Sequence, residues 1–255
     1  MITFVLWKWN QPTFRETYTA AHVHAMLDML KRCCKVPYQV ICITDNPTGL
    51  RCWTHPIWND YSTVRNISGG HLPSCYRRLK IFDGATTDAM GIERGAKIVS
   101  LDLDAVIVSP TFGALFDRPE RFVGWHVPGH RHLKVYNGSM FMFRAGDLEF
   151  LWRDFNYKKS PDKAIQAGFM GSDQGWLSHQ LINQPYVGGW TAQKHGVRSY
   201  LRDVRVPRMF SPDVTAIVFF AGRRKPWHLD VQRESKWISR YVNYEDQKEK
   251  VHAVV

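Results

Sequence analysis

The stretch KIVSLDLD, which runs from Lys97 to Asp104, decides which fold this sequence predicts. Its first five residues form a short apolar strand, and two aspartates follow directly. In an extended segment residues i and i+2 point to the same face, so Asp102 and Asp104 can approach one hard cation together. Ligands of open α/β sheets lie outside the carboxyl ends of strands, where this pair falls. Solvated loop carboxylates are the alternative, since a D-x-D arises by chance in roughly one chain in two of this size.

The residues before this stretch predict a parallel sheet. Ile2–Trp9 is β-branched and aromatic, Thr17–Cys33 has apolar residues at helical spacing, and Gln39–Thr44 is a second apolar strand. A strand, a helix and a strand in this order favour parallel pairing. Ala105–Val108 is predicted to continue the strand at 97–101. Further strands are predicted at Phe122–Trp125, Ser139–Phe143 and Ala216–Phe220. Helices are predicted at Ser74–Phe82, at Asp147–Phe155, at Ser172–Leu181 and from Asp230 to Lys250.

Composition narrows the class of protein. The 255 residues are 44% hydrophobic and 13% aromatic, which supplies a core and excludes a disordered chain. No window is long and apolar enough for a transmembrane helix, and the start lacks the basic region of a signal peptide. The five cysteines lack C-x-x-C spacing, which argues against structural zinc and favours reduced thiols in a cytoplasm. We expect a single α/β domain.

Two basic segments are candidates for binding phosphate. After the predicted strand at Ala216–Phe220, Gly222 precedes two arginines, Lys225, Pro226 and Trp227. Glycine allows close approach of a ligand, and arginine and lysine neutralise phosphate. The second segment is the predicted helix that contains Tyr76, Arg77, Arg78 and Lys80, where Arg77 and Lys80 share a face. A basic surface loop and a solvated helix face are the alternatives.

Two further motifs suit the recognition of hydroxyl groups. Asn137, Gly138 and Ser139 open a predicted strand with small polar residues. Asp173 and Gln174 fall in the first turn of a predicted helix, with Ser172 as the N-cap. Asp173 either balances the helix dipole or meets a sugar or acts as a base.

Taken in order, these motifs resemble the GT-A fold glycosyltransferases that use nucleotide sugars, nearest to the glycogenin and galactosyltransferase-like group known as family 8. The matches span residues 2 to about 228 and are Phe4-Val5-Leu6-Trp7, Tyr76-Arg77-Arg78-Leu79, the strand ending in Asp102-Leu103-Asp104, Asn137-Gly138-Ser139, Asp173-Gln174 and Gly222-Arg223-Arg224-Lys225-Pro226-Trp227. The resemblance implies a single GT-A domain over residues 1–255, with a mostly parallel sheet and a helical C-terminal tail. Residues 1–110 would form the half that binds the nucleotide, and residues 111–255 the half that binds the acceptor.

The resemblance also implies an activity and assigns roles to residues. A sugar, glucose in the first place, would move from a UDP-sugar to a hydroxyl acceptor, with Mn²⁺ or Mg²⁺ held by Asp104 and Asp102. Asp173 and Gln174 are the expected catalytic residues. The residues expected to contact the donor are Trp7, Trp9, Tyr76, Arg77, Arg78, Lys80, Asp102, Asn137, Gly222, Lys225 and Trp227. Trp7 or Trp9 would stack on the base, the alternative being core aromatics. The geometry that decides retention or inversion is not visible in a sequence.

One position departs from the resembled family. That family usually has a histidine shortly before the G-x-x-K-P-W loop as a third metal ligand, and this chain has Phe219 there. A phenyl ring cannot bind a cation. His228, which follows Trp227, is the nearest replacement, with an ordinary loop imidazole as the alternative.

The surplus of positive charge concerns the acceptor. The formal net charge is +11, and residues 194–240 contain eleven Lys and Arg against four acids. The segment His126–Lys134 adds His130, Arg131 and His132. A nucleotide diphosphate needs only two or three cations, so the surplus suggests a polyanionic acceptor. The chain also looks similar to small phage and prophage transferases. We therefore expect DNA as the acceptor, with a 5-hydroxymethylpyrimidine reached by base flipping, in the host cytoplasm. The alternatives are a glycan or lipid-linked acceptor at an anionic membrane, and a non-catalytic nucleic-acid-binding protein on a degenerate fold.

Overall fold

The computed structural model describes residues 1–10, 16–64, 75–126 and 135–244. Several predicted features lie outside these ranges: the first residue of the helix at Ser74–Phe82, most of the segment His126–Lys134, and the tail beyond Tyr244.

A seven-stranded sheet forms the centre of the fold. The described strands are β1 (Ile2–Lys8), β2 (Tyr38–Thr44), β3 (Trp53–Pro56), β4 (Lys97–Leu101), β5 (Ala105–Ile107), β6 (Phe122–His126), β7 (Tyr136–Arg144), β8 (Val187–Trp190), β9 (Val197–Ser199) and β10 (Ile217–Phe219). The strand order is β3-β2-β1-β4-β7-β6-β8, and only β7 runs antiparallel to its neighbours. The predicted α/β fold with a mostly parallel sheet is therefore confirmed.

Helices are short apart from the first. They are α1 (Ala20–Cys33), α2 (Gly84–Ala89), α3 (Phe150–Arg153), α4 (Ser160–Gln166), α5 (Asp173–Leu181), α6 (Ala192–His195) and α7 (Leu229–Glu234). Single turns of 3₁₀ helix lie at Phe112–Phe116, Pro212–Val214 and Ile238–Arg240, a longer 3₁₀ helix at Tyr76–Phe82, and a π-helix at Tyr200–Arg205. No described helix has the length and apolarity that crossing a membrane requires.

The alternation of β1 divides the core into two layers. Phe4 and Leu6 point into the layer that contains α1, whereas Val5 and Trp7 point into the layer that contains the 3₁₀ helix at Tyr76–Phe82. All four side chains are buried, and each is worth roughly 1.5–3 kcal/mol of transfer free energy. Because both faces of β1 are covered, its carboxyl end is fixed beside that of β4, where a ligand can bind.

The segment after β4 does not continue that strand, so the prediction for Ala105–Val108 is wrong in this respect. The chain bends at Leu103 and Asp104, and β5 joins a separate sheet of order β5-β10-β9. Continuation would have carried two carboxylates along the buried sheet, at a high cost in desolvation. The bend leaves Asp102 and Asp104 at the carboxyl edge of β4.

Three predicted helices also differ from the structure. The helix expected at Asp147–Phe155 is confined to α3, and the Tyr76–Phe82 helix is 3₁₀ in type. The helix expected from Asp230 onward stops with α7 at Glu234. There the chain turns so that the ring of Trp237 stacks on Phe210, with ring centroids 4.1 Å apart. The segment beyond keeps only a 3₁₀ turn at Ile238–Arg240, and the stacking of these half-buried rings favours the changed direction of the chain.

Strands from both sides of residue 110 share the central sheet. Beyond β4 the sheet continues with β7, β6 and β8, which all follow residue 110 in the chain. The division into a nucleotide-binding half and an acceptor-binding half stays a prediction.

Candidate active site

Each carboxylate of the D-x-D pair carries a cation of its own. Lys225 Nζ donates to Asp104 Oδ2, and it also donates to the carbonyl of Phe220 at 3.2 Å. Arg78 Nη1 lies 3.1 Å from Asp102 Oδ1. Asp104, Lys225 and Arg78 are 6–7% exposed, whereas the Asp102 side chain is one-quarter exposed. The site therefore contains two ion pairs, one deeply buried and the other open on one side.

Arg78 is positioned by the strand ends around it. Its Nη2 donates to the carbonyl of Gly138 at 2.6 Å and to Ser100 Oγ at 3.2 Å, and its guanidinium lies 5.1 Å from the ring centroid of Trp7. Burial opposes the charge, but Asp102 and the other nearby carboxylates outweigh this effect and raise the pKa of Arg78. Arg78 is therefore a fixed cation at the carboxyl ends of β1 and β4.

The Asn137-Gly138-Ser139 segment forms one wall of the site. The amide of Asp102 donates to the carbonyl of Ser139 at 2.9 Å, and Asn137 Oδ1 accepts from the amide of Ser139 at 3.0 Å. A Cβ on Gly138 would lie 3.1 Å from Cγ of Gln174, so glycine at this position lets α5 approach β7 closely. The structure thus brings together two motifs that the sequence placed more than thirty residues apart.

The start of α5 contributes a buried carboxylate. Ser172 Oγ caps the helix by accepting from the amide of Gly175 at 3.1 Å, and Asp173 is 6% exposed. Burial, and next the charge of Asp173, raise the pKa of the Cys75 thiol to about 12. Tyr76 donates to the carbonyl of Gly171 at 2.5 Å. Gln174 therefore lies against Gly138, and the charge of Asp173 contributes to raising the pKa of Arg78. Catalytic roles for Asp173 and Gln174 stay predictions.

Burial also governs the other titratable group at this wall. It raises the pKa of the Tyr76 hydroxyl, and Asp173 adds to the effect. The phenol stays protonated at neutral pH and serves as the donor that ties the 3₁₀ helix to the loop before α5.

Arg77 and Lys80 point away from the D-x-D pair. Arg77 Nε donates to the carbonyl of Trp58 at 3.1 Å, and Lys80 forms an ion pair with Asp60 at 2.7 Å. Burial lowers the pKa of Arg77, with the carboxylates of Asp45 and Asp60 opposing it. Contacts of these two cations with the donor stay predictions, and the structure brings only Arg78 of this helix to the D-x-D carboxylates.

The two candidate stacking residues belong to the core. Trp7 and Trp9 are about 5% exposed, and their rings meet edge to face. Arg78 lies over Trp7, and the guanidinium of Arg77 is 5.8 Å from the ring centroid of Trp9. Stacking on a nucleobase stays a prediction for both indoles.

The loop after β10 carries Lys225 into the site and packs Trp227 against aromatic side chains beside it. Gly222 has a φ of +86°, a left-handed conformation that favours glycine. Trp227 packs on Tyr18 and on His22, whose ring centroid lies 4.1 Å away. His228 Nε2 lies 3.1 Å from Glu16 Oε1. Contacts of Gly222 and Trp227 with the donor stay predictions.

The site gives a divalent cation few ligands. Phe219 is fully buried and stacks on Trp125 at 4.7 Å. Across the described ranges, no three His, Cys, Asp or Glu side chains come together in a group that could hold a metal ion. Carboxylate oxygens suit Mg²⁺ and Mn²⁺, but both D-x-D carboxylates are already paired with cations. As folded, these residues do not fit a divalent cation, and the predicted set of Asp102, Asp104 and His228 stays a prediction.

Two tyrosines near Asp104 were not predicted from the sequence. Burial, and next the charges of Asp104 and Asp102, raise the pKa of Tyr18. Burial and Asp104 likewise raise the pKa of Tyr244, whose hydroxyl has no hydrogen-bond partner in the part of the chain that the structure describes. Neither residue stands in a motif, so only the fold could associate them with Asp104.

Burial also acts on Asp104 itself. Removal from water raises the pKa of this carboxyl and Asp102 raises it further, whereas the ammonium of Lys225 lowers it. The net direction is upward. This balance makes the charge of Asp104 dependent on Lys225, so the two groups act as one unit.

Comparisons with known proteins define the fold. No protein-family model matches the chain, and no curated protein sequence matches it either. Among solved structures, an active-site mutant of LgtC is similar over 98% of this chain and 95% of its own, with a TM-score of 0.57 and 13% identity. The galactosyltransferase LgtC in complex with donor and acceptor sugar analogues is similar over 97% of this chain and 99% of its own, with a TM-score of 0.52 and 13% identity.

A third solved structure is equally similar. The glycosyltransferase GlyE of Streptococcus pneumoniae TIGR4 matches 98% of this chain and 63% of its own, with a TM-score of 0.57 and 10% identity. At sequence identities this low, the similarity shows the arrangement of strands and helices and does not show the reaction. The chain therefore has the GT-A fold of these glycosyltransferases, built on a mostly parallel central sheet.

Proposed function

We propose that this protein is a glycosyltransferase that takes a sugar from a nucleoside diphosphate, UDP-glucose in the first place. One observation carries the proposal. Two buried cations, Arg78 and Lys225, stand on the two D-x-D carboxylates at the carboxyl edge of β4, with Asp173 on the adjoining wall. Open α/β sheets bind ligands at this edge, and the combination suits a diphosphate that leaves from a sugar.

The cations supply the electrostatic part of the reaction. As the bond between sugar and diphosphate breaks, negative charge develops on the leaving phosphate. Arg78 and Lys225 are held in place before the reaction, so they stabilise this charge without reorganisation. Removal of one such donor typically costs about 10²–10³ in rate. Asp173 and Gln174 are proposed to meet the donor sugar or the acceptor hydroxyl.

Metal dependence is the part of the expected function that the side chains support least. Mn²⁺ or Mg²⁺ on Asp102, Asp104 and His228 would share its ligands with Lys225, Arg78 and Glu16. When bound, such an ion would neutralise the leaving phosphates.

For the acceptor, we propose DNA that carries 5-hydroxymethylpyrimidines. Some cations of residues 194–240 are neutralised within the protein, as Arg205 and Arg224 are by Glu234. Arg208, Arg223 and Arg240 are exposed and form no ion pair within the described ranges. They are available to phosphates, and cytoplasmic transfer within a phage-infected host belongs to this proposal.

A glycan or lipid-linked acceptor is the second candidate, and one observation favours it. Leu201, Val206 and Met209 are 50–70% exposed and stand in the same segment as Arg208. Exposed apolar side chains among arginines suit the surface of an anionic membrane.

The test offers the protein several acceptors at once. Radiolabelled UDP-glucose and other UDP-sugars are incubated with hydroxymethylated DNA, plain DNA, or lipid extract, and the products are identified by mass spectrometry. We expect labelled nucleosides and release of UDP. Sugar on lipid would favour the second candidate. Retention of DNA without nucleotide release from any donor would refute transfer and favour a non-catalytic binding protein.

A further inference from the structure

We infer that Arg78 and Lys225 take the place of a divalent cation, so that this site binds a nucleoside diphosphate without metal. The inference rests on the proposed donor site. It concerns how the charge of the diphosphate is neutralised, which the resemblance to family 8 assigns to Mn²⁺ or Mg²⁺.

Within the two D-x-D ion pairs the charges already balance, and the carboxylate of Asp173 stands outside these pairs. The carboxylates of Asp102 and Asp104 contribute two negative charges, and Arg78 and Lys225 contribute two positive ones. A divalent ion on the same oxygens would add two positive charges beside two fixed cations, from which water is largely excluded. Such repulsion is weakly screened in a buried site. The carboxylates therefore act as holders of the cations rather than as metal ligands.

The position at which the resembled family has its third metal ligand is occupied here by Phe219, a core residue. Phe219 is the last residue of β10 to pair with β5, opposite Ala105, and it stacks on Trp125 with an interplanar angle of 25°. Phe220 stacks in turn on Tyr200 at 4.4 Å. Neither ring has a donor atom that could coordinate a metal ion, and neither side chain can leave its stack without exposing a buried face. At the end of β10, a packed aromatic side chain thus stands where the resembled family has a metal ligand.

The nearest histidine is engaged on both ring nitrogens. His228 Nε2 faces Glu16 at 3.1 Å, and Nδ1 lies 3.4 Å from the amide of Lys225. A turn of this ring toward Asp104 would break both contacts. The loop geometry therefore favours delivery of the Lys225 ammonium to the site.

Lys225 reaches Asp104 because the pairing of β5 with β10 and one backbone hydrogen bond beyond it bring the two segments together. The amide of Phe220 donates to the carbonyl of Asp104 at 2.8 Å, directly after the β5–β10 pairing. The ammonium also donates to the carbonyl of Phe220, which fixes its direction. A lysine held in this way is a permanent part of the site, unlike an exchangeable ion.

The experiment measures binding of UDP to the full chain by titration calorimetry, once with EDTA and once with excess Mn²⁺. We expect dissociation constants that agree within about threefold. Binding that appears only with Mn²⁺ would overturn the fixed-cation inference and leave the donor site intact. Absence of UDP binding in both buffers would instead overturn the proposed donor site.

A variant adds a readout that does not depend on activity. Lys225→Met should weaken UDP binding in EDTA about 10- to 100-fold, since hydrogen bonds to charged groups are lost. Lys35→Met removes the same charge at an exposed position and should leave the affinity unchanged. Free UDP itself binds Mn²⁺, so electron paramagnetic resonance compares Mn²⁺ and UDP with and without the wild-type protein, and the protein should add no further bound-ion signal. An added bound-ion signal at one equivalent would contradict the inference, and thermal melting verifies that each variant is folded.

Discussion

The Arg78→Met substitution tests the central contact network most directly. Arg78 joins its own 3₁₀ helix to β4 and to β7. It pairs with Asp102 and donates to Ser100 at the end of β4, and it donates to the carbonyl of Gly138 in β7. Methionine fills a similar volume but provides neither the charge nor the donors. The variant should therefore lose stability together with catalysis.

The expected loss of stability follows from the contacts. Breaking a buried ion pair by removing one partner costs about 3–5 kcal/mol. Asp102 is one-quarter exposed, so water can solvate the carboxylate left behind and the loss falls at about 3 kcal/mol. Removing a cation from the leaving phosphate should lower kcat by a further factor of about 10²–10³.

Urea unfolding at pH 7, followed by tryptophan fluorescence, measures the free energy of unfolding. Arg77→Met is the matched control, because Arg77 is equally buried but bonds to a carbonyl rather than to a carboxylate. We expect a smaller loss, about 1.5–3 kcal/mol, in this control. A loss in Arg78→Met below about 1 kcal/mol, or below that of Arg77→Met, would refute the account of the network.

Three further predictions concern neighbouring features. Gly138→Ala should lower both stability in urea and UDP-sugar turnover, because its Cβ would lie 3.1 Å from Cγ of Gln174. Gln174→Ala in the same chain should restore the stability, and absence of this rescue would contradict the proposed contact. The Cys75 thiol, with its pKa raised to about 12, should react slowly with iodoacetamide at pH 8. Asp173→Asn removes a nearby negative charge, lowers that pKa and should speed alkylation, as peptide mass mapping can measure; an unchanged rate would contradict the proximity. Replacement of Val206 and Met209 together by Asp should reduce cosedimentation with phosphatidylserine vesicles and spare DNA binding. Arg208→Glu should reduce both. Equal losses of vesicle and DNA binding in the Val206 and Met209 variant would argue against membrane contact.

Local patterns were sufficient to predict most of the central sheet. In β1, alternate residues enter the two core layers, and this period is visible in the sequence. The end of β4 is equally visible, because two aspartates follow an apolar strand. What the pattern did not show was the bend after Asp102, since β5 is as apolar as a continued strand would be. Its partner β10 lies more than a hundred residues away.

The sequence predicted which residues belong to the candidate site better than it predicted which of them contact one another. Sequence spacing could not distinguish Arg77 from Arg78, because the helix is 3₁₀ in type and its surroundings decide which guanidinium meets Asp102. Tyr18 and Tyr244 approach Asp104 only through tertiary packing. The pairing of Lys225 with Asp104 spans 121 residues, a separation at which no periodicity carries information.

The pairing of β5 with β10 also sets the order in which the protein can acquire its site during synthesis. All seven strands of the central sheet are complete once Trp190 has been made, whereas β10 and Lys225 follow later. A nascent chain at that stage has the sheet but lacks the cation on Asp104, and the edge of β5 has no partner strand. Pairing across so long a stretch of chain forms slowly, because the closure entropy is lost before the contacts are gained. The growing chain therefore completes its framework first and its charged centre last.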